Sequence, residues 1–93
     1  MDTGDLAQTL TELFRQAGPA HHQAYIHTNG EDPEWPLWYA QYLRDGVADV
    51  LGKALTVSEL VYWLVAVERE RAEQAPGADW PSYYARFFIS HVA

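Results

Sequence analysis

A short aromatic block occurs twice in this chain, 45 residues apart, and each copy fixes where a helix starts and which face it must bury. The first copy reads Glu34-Trp35-Pro36-Leu37-Trp38-Tyr39-Ala40-Gln41-Tyr42-Leu43. The second reads Asp79-Trp80-Pro81-Ser82-Tyr83-Tyr84-Ala85-Arg86-Phe87-Phe88. Proline lacks a backbone N–H and has a fixed φ, which suits the first turn of a helix and pushes the residue before it toward extended geometry. The block therefore predicts helices opening at Pro36 and Pro81, with a Trp as each boundary residue. Three, four and seven positions after each Trp stand further aromatics: Trp38, Tyr39 and Tyr42, and then Tyr83, Tyr84 and Phe87. That spacing is one face of an α-helix. Two such faces need partners of the same kind, and no alternating strand pattern occurs elsewhere, so the class is all-α.

The other elements follow from period and punctuation. Leu6, Leu10, Leu13, Phe14 and Ala17 form a helical stripe that predicts a helix over 5–17, ended by Gly18-Pro19. A short second helix is predicted from Pro19 to about Thr28, closed by Asn29-Gly30 and followed by an acidic turn, Glu31 to Glu34. The helix that begins at Pro36 should end near Gly52. Thr56 and Glu59 have capping-box spacing and open a helix that reaches about Ala75, stopped by Pro76-Gly77. Within it every residue from Leu60 to Val67 is apolar, and a helix hydrophobic on all sides must be surrounded. The expectation is a single domain, 1–93: a compact bundle of four main helices plus one short helix. The apolar helix, about 57–75, is expected at its centre, with the two aromatic helices packed on it and touching each other. The run Glu68-Arg69-Glu70-Arg71-Ala72-Glu73-Gln74 reads as a solvated face projecting past the core, with weak Glu68–Arg71 and Arg69–Glu73 pairs.

Charge narrows the partners. Thirteen acids face six bases, a net charge of −7, which repels phosphate backbones and anionic lipid and argues against nucleic-acid or membrane-surface binding. The longest apolar run is well short of the roughly 20 residues a bilayer requires. The start of the chain, Met1-Asp2-Thr3-Gly4-Asp5, is acidic and has no signal-peptide core, so the expected location is the cytoplasm. With no cysteine, disulfides, thiolate metal sites and cysteine nucleophiles are excluded together.

Candidate binding residues come from two places. Each aromatic helix carries apolar side chains over an arc of about 200°, whereas packing on one face needs roughly 100°. Most of that excess is expected in the core. The remainder marks Trp35, Trp38, Tyr39, Tyr42, Trp80, Tyr83, Tyr84 and Phe87 as a surface for a protein partner or for self-association, since Trp and Tyr are enriched at interfaces. Gly46 falls within the stripe of the first copy, where its missing side chain would admit another backbone or a ring; His91 holds that position in the second. The alternative is a small-molecule pocket, possible ground for minor enzymatic chemistry, built from His21, His22, Tyr25 and Asp32 beside the acidic turn. A metal is not expected there, because His22 and His27 are five apart and point about 140° away from each other on a helix. No nucleophile motif, phosphate-binding glycine loop or calcium-loop ligand pattern is present, so no catalytic residue and no cofactor are assigned. An acidic mimic of nucleic acid ranks last, since the acids are dispersed.

The combination of His21-His22-Gln23-Ala24-Tyr25, Asp32-Pro33-Glu34-Trp35-Pro36-Leu37-Trp38-Tyr39-Ala40, Leu55-Thr56-Val57-Ser58-Glu59-Leu60 and Asp79-Trp80-Pro81-Ser82-Tyr83-Tyr84-Ala85 resembles a family of small uncharacterised bacterial helical proteins with repeated Trp-Pro-x-aromatic-Tyr-Ala blocks. The resemblance runs from about Ala20 to Val92. It implies a stand-alone helical protein and carries over no activity and no functional residues. A non-enzymatic interaction or accessory domain is the expected role.

Overall fold

In the computed structural model, which describes residues 3–93, α1 spans Thr3–Ala24, α2 Trp35–Leu51, α3 Val57–Gln74 and α4 Trp80–His91. A 3-10 turn at Ile26–Thr28 is the short element between α1 and α2. Met1 and Asp2, read above as the head of the acidic terminus, lie outside the described residues. Among the described residues there is no strand, and no helix is long and apolar enough to cross a membrane.

Local chemistry sets most of the boundaries. Thr56 caps α3 by accepting from the Glu59 N–H at 3.0 Å, while the Glu59 carboxylate accepts from the Thr56 N–H at 2.9 Å, so the predicted capping box is formed. Asp79 caps α4 through the Ser82 N–H. Gly52, at φ +63°, closes α2 in the left-handed conformation that costs glycine nothing. Asn29 (φ 58°) and Gly30 (φ 85°) end the 3-10 turn, where an Asn-Gly stop was expected.

The expected break at Gly18-Pro19 is not there. α1 continues through Pro19 to Ala24, and the predicted second helix survives only as the 3-10 turn. Proline removes one N–H from the ladder and crowds the carbonyl four residues back. The residues on either side recover that cost by packing: Ala17 and His21 are buried on the inner side, and Gly18 lies beneath Trp80 of α4. Both Trp residues of the repeated block are the first helical residue rather than a boundary, with Glu34 and Asp79 as the residues before them.

α1 packs along α2 and α4, and α3 packs along the same two helices, so α1 and α3 stand on one diagonal of a four-helix bundle and α2 and α4 on the other. This corrects the expectation that α3 is central. Only Leu60, Leu64 and Val67 of α3 are buried, a single stripe; Val61, Trp63, Val65 and Ala66 are half-buried, and Tyr62 is 65% exposed. In such a bundle no helix is surrounded, and the core is shared by one stripe from each. Leu10, Phe14 and Ala17 supply α1's stripe, Ala40, Leu43 and Val47 that of α2, and Tyr84, Ala85, Phe88 and Val92 that of α4. Phe14 is the hub: its ring meets Phe88, Tyr84 and Trp80 edge-on at centroid distances of 5.3, 5.6 and 6.4 Å.

Candidate functional site

One end of the bundle is hollow. The C-terminal halves of α1 and α3 and the N-terminal turns of α2 and α4 surround a cleft of about 390 Å³, within the range of small-molecule sites. Trp35 and Tyr39 line it from α2, and Trp80 and Tyr84 from α4. The two copies of the Trp-Pro block thus deliver their equivalent residues to one place. Each Trp is the first residue of its helix, with the proline next, so both indoles project from a helix mouth rather than from mid-helix.

One wall is the pair His21–Asp32. The imidazole Nε2 lies 3.0 Å from the carboxylate, and the two side chains are only 10% and 5% exposed. Against an ionised carboxylate Nε2 carries the proton and donates it. The ring is held by neighbours on all sides: Tyr39 stacks on it at 4.9 Å, Tyr25 lies tilted at the same distance, and Trp38 meets it edge-on. Asp32 is positioned by its loop. Its second oxygen accepts from the Glu34 N–H at 3.0 Å, and its own carbonyl accepts from the Trp35 N–H, which starts α2. The loop is tied further by the Tyr25 carbonyl, which accepts from the Thr28 and Gly30 N–H groups. Gly30 is required there: with φ at +85°, a Cβ would stand 2.7 Å from Nδ1 of His22. Burial, and then the Asp32 charge, push both the Tyr25 and the Tyr39 hydroxyl above the ordinary tyrosine range.

The opposite wall joins Tyr84 to the Glu68–Arg71 pair, which was expected on a solvated face. Arg71 forks onto Glu68, Nε to one oxygen at 2.9 Å and Nη2 to the other at 2.8 Å. Its Nη1 donates to the Pro76 carbonyl at 3.1 Å. The Tyr84 hydroxyl donates to Glu68 at 2.6 Å. Arg71 first, and then Tyr84, hold the Glu68 carboxyl below its usual range; burial, and then Glu68, push the Tyr84 hydroxyl well up. Nearby, Tyr83 donates to Glu70 in a short hydrogen bond. The charged run of α3 is therefore anchored on α4 at Glu68 and Glu70 and on the following loop at Arg71, and is not a free solvated face. Tyr84, buried at 5% exposure, needs an acceptor for its hydroxyl, and Glu68 is the one in reach. No local spacing links residues 68 and 84, which is why the sequence did not disclose the triad.

The candidate residues divide. Of the small-molecule set, His21 and Asp32 come together in the cleft, Tyr25 backs the imidazole, and His22 is exposed over Gly30 outside the lining. Of the partner-surface set, Tyr84 and Phe87 are buried, which removes them from any docking face. Phe87 lies against Trp63 and Phe88 and stacks on His91 at 4.1 Å. Tyr83 is half-buried and bonded, while Trp35, Tyr39 and Trp80 are half-buried in the cleft. Trp38 and Tyr42 alone form an outward pair, stacked at 5.0 Å, with Tyr42 50% exposed. Gly30, Glu68 and Arg71 join the cleft without having been expected there. Among the described residues no three His, Asp or Glu side chains converge as metal ligands, and no serine or threonine hydroxyl is bonded to His21.

No protein-family model, curated protein or solved structure matches the chain. The reading of the cleft therefore rests on its geometry.

Proposed function

We propose that this domain is a non-enzymatic receptor that takes a small molecule in the end cleft. The observation that supports this reading best is convergence. Trp35 and Trp80 stand far apart in sequence, yet they meet in one concavity with the buried His21–Asp32 pair on one side and the Glu68–Arg71–Tyr84 triad on the other. The polar groups of the concavity are fixed in orientation by their own hydrogen bonds before any ligand arrives, which lowers the ordering cost of binding. The imidazole oriented by a carboxylate is a competent hydrogen-bonding group in either protonation state.

The test is chemical-shift mapping of the full chain against a mixed library of small fragments. Perturbations clustered on His21, Trp35, Arg71 and Trp80 support the reading. Hits confined to other faces, or none anywhere, overturn it.

A second reading is favoured by one observation. Tyr42 is 50% exposed and stacks on Trp38, so the protein-partner expectation keeps a patch of α2. Sedimentation over a wide concentration range, with Tyr42→Ser as control, tests self-association through it. A strict monomer with identical wild-type and variant profiles removes that form of the reading.

A further inference from the structure

We infer that the ligand class of this cleft is a compact organic cation, an alkylammonium group seated among the rings of Trp35, Tyr39 and Trp80 with Asp32 as its counter-charge. The inference rests on the cleft being the binding site and adds what it selects.

Ring geometry is the first support. Trp35 and Tyr39 stand 5.9 Å apart at 80°, and Tyr39 and Trp80 stand 6.1 Å apart at 85°. Successive near-perpendicular rings in edge contact make a corner rather than a slot, and a slot is what a flat ligand would need. The face of an aromatic ring carries negative potential, so a corner of Trp and Tyr rings attracts a desolvated cation, tertiary or quaternary ammonium above all.

The charges point the same way. Arg71 is the cleft's one permanent cation, and its guanidinium is consumed: Nε and Nη2 lie on Glu68 and Nη1 on the Pro76 carbonyl. No fork remains for a carboxylate or phosphate. The lining has two carboxylates; the guanidinium is matched by Glu68, and Asp32, hydrogen-bonded to the His21 imidazole, is the carboxylate with no permanent cation beside it. The whole chain adds a field of the same sign, with a net charge of −7, which draws cations in and turns anions away. An uncharged ligand of the same shape would meet the rings but gain nothing from Asp32.

The experiment titrates the full chain with choline and, separately, with 3,3-dimethyl-1-butanol, its uncharged carbon isostere, following the indole N–H signals of Trp35 and Trp80. Saturable shifts at both indoles and a preference for choline of about tenfold or more are expected. A third arm uses a short peptide bearing trimethyllysine. Tighter binding of the peptide assigns the cation to a modified protein side chain, tighter binding of choline to a free metabolite, and either supports the inference. Trp35→Leu, at the mouth of α2, should lose most of the preference; Trp80→Leu serves if the first variant loses its helical circular dichroism. Equal affinity for choline and the isostere overturns the cation class while leaving the cleft as a binding site. Silence of both indoles toward every ammonium probe overturns it as well. The fragment library then separates the two failures, because fragment hits in the cleft preserve the receptor reading and their absence removes both.

Discussion

The two copies of the Trp-Pro block share a spine and differ in what surrounds it. Ala40 and Ala85, Leu43 and Phe88, and Val47 and Val92 hold equivalent positions, and all six are buried. Around that spine the second copy is drawn inward, with Pro81, Tyr84 and Phe87 buried, whereas the first leaves Tyr42 50% and Leu37 42% exposed. The entries to the two helices differ as well. Asp79 accepts from the Ser82 N–H and also binds Arg15 of α1 at 3.0 Å, while Glu34 makes no side-chain cap and α2 is tied instead through Asp32. The same local motif therefore makes a core helix in one place and a half-open one in the other. What decides between them is the neighbour: α4 has Phe14 of α1 and Trp63 of α3 beside its aromatic face, and α2 has His21.

The sharpest way to break this comparison is truncation at one equivalent pair. Phe87→Ala removes a buried ring and should cost about 3 kcal/mol or more, in line with other buried Phe truncations. Tyr42→Ala loses an outward stack on Trp38 and should cost about 1 kcal/mol or less. Urea unfolding followed by far-ultraviolet circular dichroism measures both. Equal costs would mean that the copies are used alike and that Tyr42 contributes to packing as Phe87 does.

Next in size are the entries. Asp79→Ala should lower the melting temperature by roughly 4–8 °C, the usual consequence of losing one N-cap in a domain of this size. Glu34→Ala should leave it unchanged. A fall on Glu34→Ala would show that the first copy is capped after all, in a way the Asp32 loop conceals.

The pH dependence distinguishes the two walls of the cleft. Glu68 is held below the ordinary glutamate range, first by Arg71 and then by Tyr84, so it binds fewer protons folded than unfolded. Its contribution to stability is then fully present above the unfolded value of about 4.3 and is lost as pH falls through the lower folded value. Glu68→Gln should accordingly reduce stability at pH 7, shrink the difference between pH 7 and pH 3, and leave α2 signals in place. Matched unfolding curves of wild type and variant at the two pH values read this directly.

The contrast also shows how much was legible beforehand. Class, helix number, the capping box at Thr56 and the Asn29-Gly30 stop follow from short-range chemistry, and each is present. His21 and Asp32 are two of the four residues expected in a pocket beside the acidic turn, and they meet in the cleft, whereas His22 stays outside it. The failures were all tertiary. Gly18-Pro19 stops an isolated helix, yet α1 runs through it because Ala17, Gly18 and His21 all pack on other elements there. Leu60 to Val67 looked like a surrounded segment, but Tyr62 is open and Trp63 is covered on one side by Phe87. Glu68 and Arg71 looked solvated because the hydroxyl that claims Glu68 comes from a residue 16 positions away.

The smallest effects concern the two glycines through which α1 meets its neighbours, and here the comparison can be tested in sign. Gly18 of α1 faces Trp80 of the second copy, and a Cβ built on it would lie 3.4 Å from the nearest ring carbon, an ordinary contact. Gly46 of the first copy faces Leu13, and a Cβ there would lie 3.3 Å from both terminal methyls at once. Alanine in a helix interior gains about 0.5–1 kcal/mol over glycine when nothing opposes it. Gly18 also precedes Pro19, whose Cδ crowds the Cβ of a helical residue before it, so Gly18→Ala should raise stability by only part of that amount. Gly46→Ala must first displace Leu13, whose side chain is half-buried and can shift only at the expense of its own packing, so the gain should be cancelled to near zero. Thermal melts of the two single variants and the double variant settle the matter. If Gly46→Ala is the more stabilising, α1 is held more loosely against the half-open helix than against the buried one, and the asymmetry of the two copies then extends from their surfaces into the packing of the bundle itself.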